Sequence, residues 1–360
     1  MKKTISLVLV SILALATELA NADFTFGTPT NLGPIVNTSY NDGVACTSAG
    51  GLKLYYASMR PGGYGGWDLW LATRATTEDP WEEPVNLGTT VNGSSWDMGP
   101  DISGDGLMLF LQSNRPGGQG SHDLWVTMRS SVTDPWGPPV NLGATVNSSG
   151  DEVGPSTSAD GSTLFFSSNR PGGYGGDDLY VATRPTLSEP WDAPVNLGAT
   201  VNTGSTDRAP SISADGRMLF FHSNRPGGRG SYDLWVARRP SVTEPWESPV
   251  NLGSTVNSSS PDVGPGISDD GQKLFFMSDR PGGSGNFDAW QVSIESVVDL
   301  NGDGIVDASD MCIILDYWGT DEPLCDIGPM PWGDGVVDVQ DLIVLAEHLF
   351  EEVPPVELSE

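Results

Sequence analysis

The chain has 360 residues and carries 47 Asp plus Glu against 17 Lys plus Arg, a formal net charge of −30. That balance argues against a nucleic-acid or anionic-membrane partner and leaves cations and neutral ligands open. Glycine (45) and proline (28) are abundant, but so are Trp (12), Phe (11) and Tyr (8), so the composition excludes a disordered chain and suggests aromatic strands broken by turns, an all-β protein.

Residues 1–22 read as a signal peptide: Lys2 and Lys3, an apolar run from Ile5 to Ala16, then Ala20-Asn21-Ala22 before Asp23. No later stretch reaches the ~20 apolar residues that span a bilayer, so a secreted, extracellular protein is expected. Export permits disulfides, and Cys312 and Cys325 fall close together near the C-terminus, a candidate bridge, while Cys46 stands alone.

From Asp23 to residue 297 the chain repeats. Asn-Leu-Gly begins at Asn31, Asn86, Asn141, Asn196 and Asn251, and Arg-Pro-Gly-Gly at Arg60, Arg115, Arg170, Arg225 and Arg280, both stepping by 55 residues without an insertion. Constant spacing in five copies means one supersecondary unit per copy. In the third copy the strand signals are 155–158, 163–169, 178–183 and 191–197, separated by Ala159-Asp160-Gly161 and by the glycine-rich loop that starts at Arg170. Four antiparallel strands per unit predict the blades of a five-bladed β-propeller. The fifth copy lacks its last strand, and Phe26 with Pro29 to Gly33 align with Trp81 and Pro84 to Gly88, so the N-terminal segment is expected to complete that blade. The segments Ser211 to Phe221 and Asp233 to Val236 resemble the WD40-like repeats of TolB-type propellers, a resemblance that covers about residues 24–295 and implies a propeller that can serve binding or catalysis.

Two repeated features are expected on one face. A carboxylate precedes the first strand of each copy, Asp42, Asp97, Glu152, Asp207 and Asp262. These acids either cap turns and pair with a nearby arginine, or ring a channel mouth and hold a cation or sugar hydroxyls. Eight residues after each loop arginine stands Asp68, Asp123, Asp178, Asp233 or Asp288, which predicts a salt bridge within the loop. The residue before each of those aspartates varies: Trp67, His122, Asp177, Tyr232 and Phe287, with Tyr64, Gln119, Tyr174, Arg229 and Ser284 earlier in the loop. Variable aromatics among fixed scaffold positions are candidate stacking platforms for sugars, with packing between loops as the alternative. The candidate ligand-binding set is Trp67, His122, Tyr232, Phe287, Asp97, Glu152, Asp207 and Asp262.

Residues 298–352 form a separate module, followed by a tail at 353–360. Asp299-Leu300-Asn301-Gly302-Asp303-Gly304-Ile305-Val306-Asp307-Ala308-Ser309-Asp310 has the oxygen spacing of a calcium loop, with Asp299, Asn301, Asp303, the Ile305 carbonyl, Asp307 and Asp310 as ligands. An apolar helix signal follows, and then a second copy with Asp334, Val336, Asp338 and Asp341. Its first and third positions fall on Met330 and Trp332, which offer no side-chain ligand, so Asp326 is the substitute through a longer loop. Loop followed by helix, in duplicate, resembles a type I dockerin. The resemblance implies Ca2+ as cofactor, a small α-helical domain, and a cohesin domain on a scaffold or surface protein as partner.

The near-identity of the repeats favours a non-catalytic binding protein directed at an extracellular polysaccharide or protein, since an active site needs unlike residues. The alternative is a polysaccharide-degrading glycoside hydrolase or lyase, with Asp97, Glu152 and Asp207 as acids. No Gly-x-Ser-x-Gly motif is present, and the histidines, His122, His222 and His348, are scattered.

Overall fold

The computed structural model describes residues 24–296, 298, 300–301, 305–320, 325–328, 333 and 336–350. The expected signal peptide and tail, and the expected ligands Asp299, Asp303 and Asp334, lie outside the described residues. Two compact units emerge: Thr28–Ser293, and the described residues of Met1–Gly27 together with Ile294–Glu360.

The first unit is the expected five-bladed all-β propeller. Its inner strands are Asp42–Thr47, Asp97–Ile102, Glu152–Thr157, Asp207–Ile212 and Asp262–Ile267. Second strands follow at Lys53–Ser58, Met108–Ser113, Thr163–Ser168, Met218–Ser223 and Lys273–Ser278, and third strands at Asp68–Thr73, Asp123–Met128, Asp178–Thr183, Asp233–Arg238 and Asp288–Ser296. Outer strands are only two residues long, Val85–Asn86, Val140–Asn141, Val195–Asn196 and Val250–Asn251, and the fifth blade takes Thr30–Asn31 from the N-terminus against Gln291 and Trp290. Each inner strand touches those of both neighbouring blades, and the fifth touches the first, so the ring closes.

Second and third strands lie between neighbouring blades and are buried on both faces, so they read as continuous apolar runs such as Leu164-Phe165-Phe166 and Leu234-Trp235-Val236 rather than as alternation. Inner strands differ. Pro100, Pro155, Pro210 and Pro265 sit mid-strand at a register break, which is tolerated because the edge of this strand toward the channel is unpaired. Gly99, Gly154 and Gly264 adopt left-handed φ of 57–61° before these prolines.

In the second unit, Phe24–Phe26 pairs with residues 294–296, Phe26 opposite Ile294. Phe26 beside residue 294 is in the register that Trp81 takes beside Arg74 in the first repeat, as the expected alignment has it. A single helical turn, α1 (Gly253–Val256), lies in the fourth repeat, and the module's helices are α2 (Ala308–Asp316) and α3 (Val339–Glu347). Val306, Ile314, Cys325, Ile327, Val337 and Leu345 form the module core. Cys312 is exposed and Cys325 is buried, and no disulfide joins them, so the candidate bridge is not formed. Among the described residues no helix is long and apolar enough to cross a membrane.

Candidate functional site

The five repeated acids are buried without accessible surface, and each is bound to the arginine that begins its own glycine-rich loop. Arg60–Asp42, Arg115–Asp97, Arg170–Glu152, Arg225–Asp207 and Arg280–Asp262 pair at 2.5–3.1 Å, reaching back 18 residues. The guanidinium also donates to the strand-end serine and to a carbonyl of the connecting loop, as Arg225 does to Ser223 and Val201. It lies 4.8–5.3 Å from aromatic centroids such as Phe221 and Trp235. The remaining carboxylate oxygen accepts local donors, for Asp207 the amide and hydroxyl of Thr203. Asp97, Glu152, Asp207 and Asp262 are therefore not the ligand-facing ring considered from sequence; they are a buried girdle.

The predicted salt bridge within each loop is likewise replaced. Asp68 accepts the amides of Tyr64 and Gly65 and the Asn86 side chain, and Asp123, Asp178, Asp233 and Asp288 repeat the pattern, the last with Asn31 from the N-terminus. A Cβ on Gly63 would collide with the Asp68 carboxylate, which is why glycine recurs there. One more repeated clamp was not anticipated: buried Asn92 bonds both the amide and the carbonyl of Leu69, at 2.9 Å each, and Asn37 does the same to Ala289 across the closing seam.

With the repeated polar groups consumed, what remains on the loop face is the set of positions where repeats differ. The residue before each girdle acid is Asn41, Trp96, Asp151, Thr206 or Pro261. Backbone bonds set these beside the variable loop residues, because the acid's amide donates to the carbonyl of Trp67, His122, Asp177, Tyr232 or Phe287 of the preceding blade at 2.8–2.9 Å. Each blade junction thus juxtaposes two variable residues.

Of the predicted aromatics, Trp67 is buried in the core with Tyr55 and Leu111, a correction to its expected role. His122, Tyr232 and Phe287 are half-buried. The His122 ring sits 6.4 Å from that of Trp96, and its Nδ1 lies 3.5 Å from Asp151 Oδ1. Tyr232 packs edge-on against His222 at 5.5 Å. Solvent-facing rings on this face are Tyr40, Tyr64, Trp96 and Tyr174, each about half exposed (46–53%). Trp96 was missed by sequence reasoning although it occupies a position as variable as Trp67; the indole lies against Gly66 and bridges two junctions.

The charges here are unlike. Burial pushes the Asp151 carboxyl up, but donors from Ser121 and His122 outweigh it and hold it below the ordinary range. Burial raises the pKa of Asp177, opposed by Arg208 with its Nε at 4.0 Å and reinforced by the charge of Asp151. Burial, with Arg208 adding, lowers His222 to about 3, so it is neutral and accepts the Gly264 amide on Nδ1 at 3.1 Å.

The C-terminal unit is built on a second duplicated pattern. Asp307 and Asp338 cap α2 and α3, accepting the amides of Ser309 and Gln340. Asp310 and Asp341 are fully buried; each accepts the cap amide and two loop amides, Leu300 and Asn301 in one copy, Ile327 and Gly328 in the other. That amide register makes Asp326 the counterpart of Asp299, and the second loop four residues longer than the first. Asp326 is buried, with its carboxylate against Gly333. Ile305 and Val336 occupy matching exposed positions. The copies interlock, Gly319 donating to the Val337 carbonyl and Phe350 to that of Val306.

No family model matches the chain, and no curated protein matches it. Among solved structures, a thermostable family-43 glycoside hydrolase is similar at a TM-score of 0.50 and 12% identity, over 74% of this chain and 92% of that one. TolB from Acinetobacter baumannii matches at 0.44 and 16% over 71% of this chain, which spans about half (55%) of that TolB's length. A putative TolB from Agrobacterium tumefaciens matches at 0.45 and 16%, over 74% and 88%. The likeness is one of fold.

Proposed function

We propose that this is a secreted, non-catalytic binding protein whose loop face holds an extracellular polysaccharide and whose C-terminal unit, loaded with Ca2+, docks to a cohesin domain. The observation that carries the first part is the concentration of unlike residues at the blade junctions of one face of an otherwise repeated scaffold. Tyr64 and Trp96 supply planes for sugar rings, and His122, Asp151, Asp177 and Arg208 supply hydroxyl partners. Isothermal titration of the full chain against a panel of polysaccharides tests it. Trp96→Ala and Tyr64→Ala should each weaken binding about fivefold, the worth of ~1 kcal/mol per stacked ring; unchanged affinity in both would sink the reading.

Calcium in the C-terminal unit is supported by the chemistry of its donor set. No lysine or arginine follows Arg280, and the carboxylates of Asp310, Asp326 and Asp341 are buried, Asp310 and Asp341 against backbone amides, a hard-oxygen donor set suited to the ion. The residues that would hold the ion are those predicted, with Asp326 taking the first position of the second loop.

A second reading, a polysaccharide-degrading enzyme, draws on the contrast between Asp151 and Asp177, two carboxylates shifted in opposite directions at neighbouring junctions. Release of sugars that stops with Asp177→Asn would favour it over pure binding.

A further inference from the structure

The channel contains a separate set of positions where the repeats disagree. The fifth residue of each inner strand is Cys46, Asp101, Ser156, Ser211 or Gly266, and these line the channel interior. Three residues further on stand Ala49, Gly104, Ala159, Ala214 and Asp269, so the fifth repeat places a carboxylate where the others keep a small residue. Asp101 and Asp269 border the same cavity of about 50 Å³, together with Thr47.

The scaffold does not require these acids. Ser156 and Ser211 each accept an inner-strand amide of the next blade, from Ile212 and Ile267 at 3.0 Å. Asp101 does the same for Thr157, accepting its amide at 2.9 Å and its hydroxyl at 2.6 Å on Oδ2. A serine would serve that link. Among the described residues neither Asp101 nor Asp269 has a basic partner within ion-pair distance, and burial drives Asp101 up to about 7. Asp269 is raised by burial and by Asp270. Thr47, the counterpart of Thr157, faces Gly266 rather than an acceptor, and its hydroxyl is buried (7% exposed) and without a hydrogen-bond partner. Asp101 is half-buried and Asp269 exposed, so two carboxylates without a cationic partner and one buried hydroxyl left without a hydrogen bond border the same space, and the orphaned hydroxyl costs stability unless something in that space satisfies it.

We propose that the channel binds one hard divalent cation, of the Ca2+ or Mg2+ kind, through the Asp101 and Asp269 carboxylates and the Thr47 hydroxyl, with water completing its shell. Two carboxylates match the ion's charge, oxygen donors suit its hardness, and a cavity of this size holds such an ion with one or two waters. Its ligands come from blades 1, 2 and 5, so the ion would clasp the seam at which the ring is closed without a covalent link.

The test uses the full chain stripped with chelator and then given CaCl2 or MgCl2, with propeller melting followed by near-UV tryptophan dichroism. Either ion, at a hundredfold excess over its dissociation constant, should raise the melting temperature by about 5 °C or more. The rise should survive in Asp310→Asn/Asp341→Asn, which disables the C-terminal unit, and vanish in Asp101→Ser/Asp269→Ala, which installs the residues of blades 3 and 4. Bound metal per chain by mass spectrometry should fall by one in the channel variant. No rise with either ion, or the same rise and metal content in the channel variant, overturns the proposal.

Discussion

In the propeller five buried carboxylates each meet a guanidinium from their own repeat, whereas in the C-terminal unit Asp310 and Asp341 are equally buried and meet backbone amides. Each repeat of the propeller carries the counter-charge of its own girdle acid, so the girdle is electrostatically closed without an ion from solution. Residues 298–352 contain no lysine or arginine, and on the reading proposed above the folding free energy of this module is lent by an ion. One chain thus solves the same problem twice, internally and externally.

Breaking the internal solution should have the largest effect. Arg225→Met strands Asp207 in a buried site and should cost about 3–5 kcal/mol in urea unfolding, while Arg225→Met with Asp207→Asn recovers much of it. If the single variant were nearly neutral, the girdle would not be the clamp described. Removing divalent ions tests the external solution: chelation should abolish the helical signal of residues 300–350 and expose them to proteolysis, a loss of about 3 kcal/mol or more relative to ion at a hundred times its dissociation constant.

A third variant sharpens the comparison within the propeller. His222 has its pKa lowered from 6.5 to about 3, so the unfolded chain binds its proton first and stability falls as pH drops from about 6.5 toward 3. The loss amounts to about 4–5 kcal/mol over that window. His222→Gln should flatten it, because Gln112 already accepts the equivalent amide, that of Gly154, at 2.8 Å. An unchanged acid limb in the variant would assign the slope elsewhere. The smallest effect belongs to Gly266→Ser, which offers Thr47 the acceptor that Ser156 and Ser211 give their neighbours and should add about 0.5–1.5 kcal/mol in the absence of divalent ions.

The blade count, the strand order and the closing segment were legible because a 55-residue period leaves little room for another unit. What misled was proximity along the chain. Arg60 and Asp68 are eight residues apart, but the hairpin turns Asp68 onto its own loop amides and sends Arg60 to Asp42. Trp67 and Trp96 are alike as variable aromatics, and only packing reveals that one fills the core while the other faces water. The second loop's register was hidden by four extra residues, which shift its first position from Met330 to Asp326 and show up only through the amides that Asp341 accepts.

The strand that finishes the fifth blade precedes its partner, Asp288–Ser296, by more than 250 residues of chain. Residues 30–31 must therefore wait, unmatched, through more than 250 residues of translation before Gln291 arrives. Until then four finished blades present an open edge at each end, the condition under which propellers join one another or stall. The arrangement makes completion of the ring a checkpoint on the length of the chain: a product cut short before the fifth repeat has blades but no ring.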